Sequence, residues 1–198
     1  MKENTRDKLL TVACDLVRVQ GFNNTGLGQI LKDAGVPKGS FYHYFPSKDD
    51  LGYALIEVYS ANLKEHLSAY LDSFQGPALL ALRSYFESLA DIFTKEFSYC
   101  NCLLGNFGQE LAAQHDGFRV AIRTHFMDIE QLLAACFEQA KAEGDLDTSV
   151  DSTMLAQMLF AGWEGGLMRA KLEQSATNLD YFIKHFFATL PRYIDIKQ

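Results

Sequence analysis

No apolar run in this 198-residue chain is long enough to cross a bilayer, and the chain has only four prolines and four cysteines. A membrane-spanning helix needs about 18 or more consecutive apolar residues. The polar start of the chain, MKENTRDKLL, also differs from a signal peptide. Internal repeats, low-complexity tracts and alternating strand patterns are absent as well. We therefore expect a packed helical protein in the cytoplasm, with no membrane partner.

The charge of the chain is negative overall and unevenly distributed. The formal net charge is −7, and residues 1–52 contain seven Lys or Arg and six Asp or Glu, whereas residues 53–198 contain eleven and nineteen. The N-terminal part is thus close to neutral. It has no broad basic field, so its affinity for any polyanion would depend on the local placement of Arg6, Lys38 and Lys48 and on helix N-termini.

Residues 27–51, LGQILKDAGVPKGSFYHYFPSKDDL, predict a helix, a tight turn and a short second helix. Gly35 is expected to end the first helix, because glycine tolerates the left-handed conformation of a helix stop. Pro37 cannot extend the first helix but can begin the second. Apolar residues repeat with helical spacing in the first helix, at Leu27, Ile30, Leu31 and Ala34. This is the plan of a helix-turn-helix that reads DNA.

The second helix, at residues 38–45, combines an apolar side with a polar side. Phe41 and Phe45 are expected to be buried, while the other side carries hydroxyl, amine and imidazole groups that suit phosphate oxygens and base edges. Ser47 is expected to cap the next helix. The alternative is an ordinary three-helix corner whose tyrosines are packing residues.

The run AGVPKGSFYHYFPSKDDL, together with the preceding GFNNTGLGQIL, resembles the DNA-binding domain of the TetR family of transcriptional regulators. The resemblance implies that the chain binds a double-stranded DNA operator. The resemblance makes residues 38–45 the recognition helix. The residues that it assigns to DNA binding lie at the start of the helix that contains residues 27–34, in the recognition helix and at the start of the helix after Ser47: Thr25, Gly26, Lys38, Gly39, Ser40, Tyr42, His43, Tyr44 and Lys48.

Helical apolar stripes continue after residue 52, separated by short turns. They cover residues 53–74, 77–97, 103–114, 116–143, 151–173 and 177–192. The chain is therefore predicted to be all-α. We expect a three-helix DNA-binding domain with a helix-turn-helix at residues 1–52 and a helical ligand-binding and dimerisation domain at residues 53–198.

The second domain is rich in aromatic residues, which the family resemblance places around an effector cavity. Apolar pockets with a few polar groups suit small organic ligands, although the same side chains could simply fill a core. The residues predicted to bind a small-molecule effector are Phe93, Phe97, Cys100, Cys102, Phe107, His125, Phe126 and Trp163.

The pair Cys100 and Cys102 lies at a turn before a helix. The turn position is expected to expose the Cys102 thiol, and a helix N-terminus stabilises a thiolate, so both favour a reactive cysteine. Cys14 and Cys136 lie on apolar helical faces and are expected to be inert. The segment NCLLGNFGQE resembles a TetR subgroup that responds to electrophiles through a cysteine at the position of Cys102. A purely structural role for the pair is the alternative. No metal site is expected, because the pair supplies only two ligands.

The last two helices are predicted to form an interface. Gly162, Gly165 and Gly166 thin one face of residues 151–173, which favours close helix approach. In the family these helices pair with their copies as a four-helix bundle, which implies a homodimer on a pseudo-palindromic operator. The apolar residues that suggest this surface are Leu155, Met158, Leu159, Phe160, Tyr181, Phe182, Phe186, Phe187 and Leu190.

Two other classes of function compete with an effector-responsive repressor. An enzyme would need Cys102 with His115 or His125, but no nucleophile elbow, phosphate loop or metal-binding His pair accompanies them. A helical adaptor would bind a protein through residues 38–45 and would have no affinity for DNA. We expect a transcriptional regulator, with no catalytic activity and no cofactor.

Overall fold

The computed structural model describes residues 4–95 and 102–191, and within these ranges the chain is helical, with no strand. This confirms the predicted all-α fold. None of the described helices is long and apolar enough to cross a membrane. In chain order the helices of these ranges are α1 (Thr5–Gln20), α2 (Leu27–Ala34), α3 (Lys38–Tyr44), α4 (Lys48–Ser73), α5 (Ala78–Lys95), α6 (Leu103–Leu111), α7 (Asp116–Glu143), α8 (Ser152–Glu173) and α9 (Thr177–Thr189).

Internal contacts divide the chain into two compact units. The first unit comprises Met1–Asn62 and Cys102–Thr124, and the second comprises Leu63–Asn101 and His125–Gln198. Helix α6 and the start of α7 thus pack within the same unit as α1–α3. The functional division at residue 52 is a separate matter and stays a prediction.

The turn between α2 and α3 forms as the sequence predicts. Gly35 adopts the left-handed conformation with φ 61° and ψ 34°, and its N–H donates to the carbonyls of Leu31 and Lys32. The Val36 N–H also donates to the Leu31 carbonyl, at 3.0 Å. These bonds satisfy the Leu31 and Lys32 carbonyls in the last turn of α2. Pro37 then precedes α3, so the turn is three residues long and sets the direction of α3.

Helices α3 and α4 begin and pack as expected. Phe41 and Phe45 are buried in the first unit. Ser47 caps α4, because its hydroxyl accepts the Asp50 N–H at 3.1 Å and donates to the Asp50 carboxylate at 2.7 Å. One turn later, Gly52 leaves room for two aromatic rings: a Cβ there would lie 2.8 Å from the Phe22 ring.

In the second unit, α8 is fixed at its start and packs closely against α9. The Asp151 carboxylate caps α8 by accepting two backbone N–H groups. Gly162 and Gly166 are needed for packing inside the subunit, since a Cβ at either position would overlap Phe182 or Leu179 of α9. Only Gly165 of the three faces open space. Close helix approach is therefore confirmed for Gly162 and Gly166, with α9 of the same subunit as the neighbour, and an interface between subunits at Gly165 stays a prediction.

Several apolar residues that suggested the interface are core residues. They belong to α8, α9 and the residue after α9, and each is less than a tenth exposed within the subunit: Leu155, Leu159, Phe160, Phe186, Phe187 and Leu190. Sequence periodicity shows that a residue lies on an apolar face, but not whether that face meets its own chain or a partner. Met158 and Tyr181 remain exposed.

Candidate nucleic-acid interface and effector site

The recognition helix α3 presents a polar and aromatic face to solvent. With Phe41 buried on the other side, Lys38, Gly39 and His43 are exposed and Tyr42 is 48% exposed. Ser40 and Tyr44 are half-buried at the edge of this face. Within two helical turns the face presents hydroxyl, amine and imidazole groups. These groups can form hydrogen bonds with phosphate oxygens and with base edges.

The two residues predicted at the start of α2, Thr25 and Gly26, differ in exposure. Gly26 is exposed and forms the N-cap, where no side chain competes for the first backbone N–H groups. Thr25 is completely buried, and its hydroxyl donates to the Gly21 carbonyl at 2.6 Å. The Gln20 amide also donates to this hydroxyl, at 3.3 Å. The Thr25 hydroxyl thus supports the start of α2 from inside the fold, and a part of Thr25 in DNA binding stays a prediction.

Lys48 is directed toward the turn between α1 and α2. Its ammonium donates to the Phe22 carbonyl at 2.6 Å and to the Asn23 carbonyl at 3.4 Å, and lies 4.5 Å from the centre of the Phe22 ring. Burial lowers the pKa of Lys48, and the nearby Glu110 carboxylate opposes that shift. The ammonium therefore stabilises the turn. A phosphate contact from Lys48 stays a prediction and would compete with these bonds.

Cys102 is the N-cap of α6, as the sequence suggested, but it is only 6% exposed. The predicted exposure of this thiol is therefore wrong, while its position at a helix N-terminus is confirmed. Burial raises the pKa of the half-buried Cys14 and raises that of Cys136 to about 11, in keeping with inert thiols. Cys100 lies outside the described residues.

The aromatic residues predicted to bind the effector are distributed over both units. Phe107 belongs to the first unit, where it is 1% exposed and its ring centre lies 5.2 Å from that of Phe22 and 6.0 Å from that of Phe118. Its ring packs in the core of the first unit, and its part in effector binding stays a prediction. Phe97 lies outside the described residues.

The remaining predicted effector residues lie in the second unit. Phe93 and the buried Trp163 have ring centres 6.0 Å apart, and Phe126 packs edge-on against Phe160 at 5.0 Å. His125 is also buried. Its Nδ1 lies 3.9 Å from the carboxylate of Asp128, which forms an ion pair with Lys64 at 2.8 Å. Aromatic rings and a polar cluster thus occur in one unit, and their role in effector binding stays a prediction.

One cavity of the second unit has the size of a small-molecule site. It is half open to solvent, has a volume of about 440 Å³ between α4, α5 and α7, and is lined by Cys136 and Phe74, among others. None of the predicted effector residues lines it. The sequence contains no signal for this pocket. The residues that line it are mainly of the types that occur wherever helices pack together.

Two family models match the chain. The model described as "Bacterial regulatory proteins, tetR family" matches residues 9–55, and the model described as "Tetracyclin repressor-like, C-terminal domain" matches residues 78–186. The first match contains α2 and α3 with their turn, and the second contains α5–α8 and most of α9.

Individual proteins are similar over nearly the whole chain. The transcriptional regulator AcuR of Cereibacter sphaeroides is 37% identical over 90% of this chain and 81% of its own length. The HTH-type transcriptional repressor NemR of Escherichia coli is 29% identical over 93% of this chain and 92% of its own. The crystal structure of the reduced form of Escherichia coli NemR superposes with a TM-score of 0.86, covering 96% of this chain and 99% of that one.

Proposed function

Because the chain belongs to the TetR family of bacterial transcriptional regulators, we propose that it represses its target genes as a two-fold dimer on a pseudo-palindromic operator. The protein is a DNA-binding transcriptional regulator and not an enzyme. The alternative of an adaptor without DNA binding has no support among its named relatives.

The exposed face of α3 carries the DNA-binding part of the proposal. We assign base and phosphate contacts to Lys38, Ser40, Tyr42, His43 and Tyr44. Gly39 supports this assignment because a Cβ at this position would have no atom within 4 Å, so the backbone is open to close approach by a ligand. With Gly26 as its N-cap, the first turn of α2 offers backbone N–H groups to phosphate.

An exposed apolar stripe on α8 supports the dimer. Residues spaced alternately by four and three positions share one side of this helix: Met154, Met158, Ala161, Gly165, Met168 and Leu172. This 3.5-residue period is the one that pairs helices in a coiled-coil seam. The methionines and Leu172 are each about half or more exposed in the subunit. Tyr181 of α9 is 67% exposed and adds to the apolar surface.

A small hydrophobic or electrophilic compound is the proposed effector, with Cys102 as the covalent site. The location of Cys102 at the N-terminus of α6 supports this, since the helix dipole favours its thiolate. A relative whose structure is described as a reduced form is consistent with thiol chemistry. The thiolate would add to an electron-poor C=C bond, and a proton from water would complete the adduct. The adduct must favour a conformation that binds DNA poorly.

The recognition face is tested by selecting an operator duplex from a randomised DNA library with the wild-type protein. Affinity is then measured by fluorescence anisotropy. Tyr42→Phe and His43→Ala are expected to weaken binding by about 1–3 kcal/mol each if they contact base edges. His115→Ala is the matched control, because His115 is an exposed histidine of the first unit outside α3. Unchanged affinity in both α3 variants would refute the assignment.

A further inference from the structure

The backbone between α1 and α2 is held by a carboxylate of α6. Glu110 Oε2 accepts the Phe22 N–H at 2.8 Å, and Glu110 Oε1 accepts the Asn23 N–H at 2.6 Å. Two successive N–H groups directed at one carboxylate form an anion-binding concavity. Gly21 makes this approach possible, because it has φ 82° and a Cβ there would lie 3.0 Å from the carboxylate.

The same peptide segment is held from its carbonyl side by Lys48, through the bonds to Phe22 and Asn23 described above. The Phe22 ring is buried, with its centre 5.2 Å from that of Phe107 on α6. Helix α6 therefore holds the turn by two charge-assisted hydrogen bonds and by ring packing. Such bonds are stronger than those between neutral groups.

Side-chain hydrogen bonds also connect this turn to the start of α2. The Thr25 hydroxyl donates to the Gly21 carbonyl, and the Gln20 amide bridges Thr25 to the Gln29 side chain of α2, at 3.3 and 3.0 Å. Continuous hydrogen bonds thus run from Glu110 to the helix that precedes the recognition helix. This connection does not pass along α4.

We propose that Glu110 is the positioning residue that couples α6 to the DNA-reading helices. Cys102 caps one end of α6 and Glu110 lies near the other, about 12 Å apart at 1.5 Å per residue. A displacement of this short helix moves the carboxylate and, with it, the backbone that leads into α2. The link to an effector rests on the proposed sensing at Cys102, whereas the coupling between α6 and DNA binding does not.

Coupling between two sites is reciprocal, so DNA must act on α6 if α6 acts on the DNA-reading helices. The experiment is hydrogen exchange with mass-spectrometric detection on the full chain, with and without the selected operator duplex. In the wild type, the operator is expected to slow exchange in α3, in the turn at residues 21–25 and in α6. In Glu110→Ala, α3 keeps its protection and α6 loses its response to the operator.

Matched variants distinguish loss of the Glu110 hydrogen bonds from a general effect on folding. Gln109→Ala changes the exposed neighbour of Glu110 on the same helix and is expected to respond like the wild type. Glu110→Gln keeps one acceptor oxygen and should give an intermediate response, which serves if Glu110→Ala fails to fold. Without operator, the Phe22 and Asn23 amides of Glu110→Ala should exchange about tenfold faster or more.

Two results would overturn the coupling: an α6 response of wild-type size in Glu110→Ala, or no α6 response to the operator in the wild type. Treatment with N-ethylmaleimide tests the sensing separately. If alkylation confirmed at Cys102 leaves operator affinity unchanged, covalent sensing fails while the exchange result for Glu110 still stands.

Discussion

Met158→Asp is expected to dissociate the proposed dimer without unfolding the subunit. Met158 lies within the apolar stripe of α8 and is 55% exposed in the subunit. A charge at this position therefore meets water in the free subunit and an apolar seam in the dimer. The two-fold symmetry places the substitution twice in each interface.

The size of the effect follows from this burial. Burying a whole Met side chain contributes about 1.5–3 kcal/mol. Because Met158 is about half exposed in the subunit, dimer formation can add only about half of that. Loss of two methionine contacts then costs about 2 kcal/mol. Desolvation of two unpaired carboxylates adds several kcal/mol more. A total of about 4–6 kcal/mol corresponds to a dissociation constant raised by about 10³-fold or more.

Sedimentation equilibrium from nanomolar to micromolar concentration measures this change, with circular dichroism as a check of the helical fold. Thr153→Asp is the matched control, because it adds the same charge to an exposed position of α8 outside the stripe. It should dimerise like the wild type. A Met158→Asp protein that dimerises normally, or a wild type that is monomeric at micromolar concentration, would refute the assignment of the stripe.

Two further predictions concern thiol reactivity and packing. In a Cys100→Ser background, N-ethylmaleimide should label Cys102 before Cys136. A pKa of about 11 leaves only about one Cys136 thiol in ten thousand as thiolate at pH 7. Peptide mapping that finds Cys136 labelled first would contradict this order. Gly52→Ala should lower the free energy of unfolding in urea by about 1–3 kcal/mol, because its Cβ would lie 2.8 Å from the Phe22 ring. Gly39→Ala, with open space around its Cβ, should be no less stable than the wild type.

Local signals were sufficient for the helix-turn-helix. Gly35 marks the end of α2, Pro37 the entry to α3 and Ser47 the cap of α4, and each takes the predicted place. Phe41 and Phe45 are buried as their spacing indicates. These features depend on backbone conformation and on bonds between residues a few positions apart, so they can be recognised in sequence.

The destination of individual side chains was less predictable. Thr25 and Lys48 occupy predicted DNA-binding positions, but both side chains bond to the turn between α1 and α2. Phe107 suggested a cavity wall but fills the core beside Phe22. Residue type limits what a side chain can do, whereas its use depends on which groups the fold brings within reach.

The sequence alone determined the helical fold, the DNA-reading motif and the position of Cys102 at the start of a helix, because periodicity, caps and turn residues act locally. Only the tertiary structure decided that Gly162 and Gly166 serve packing within the subunit and that Glu110 holds the turn at Phe22, 88 positions earlier. A carboxylate on an amphipathic helix can face water or a distant backbone. Packing between residues far apart in the chain determines which of the two occurs, and such packing produces no pattern of fixed spacing in the sequence.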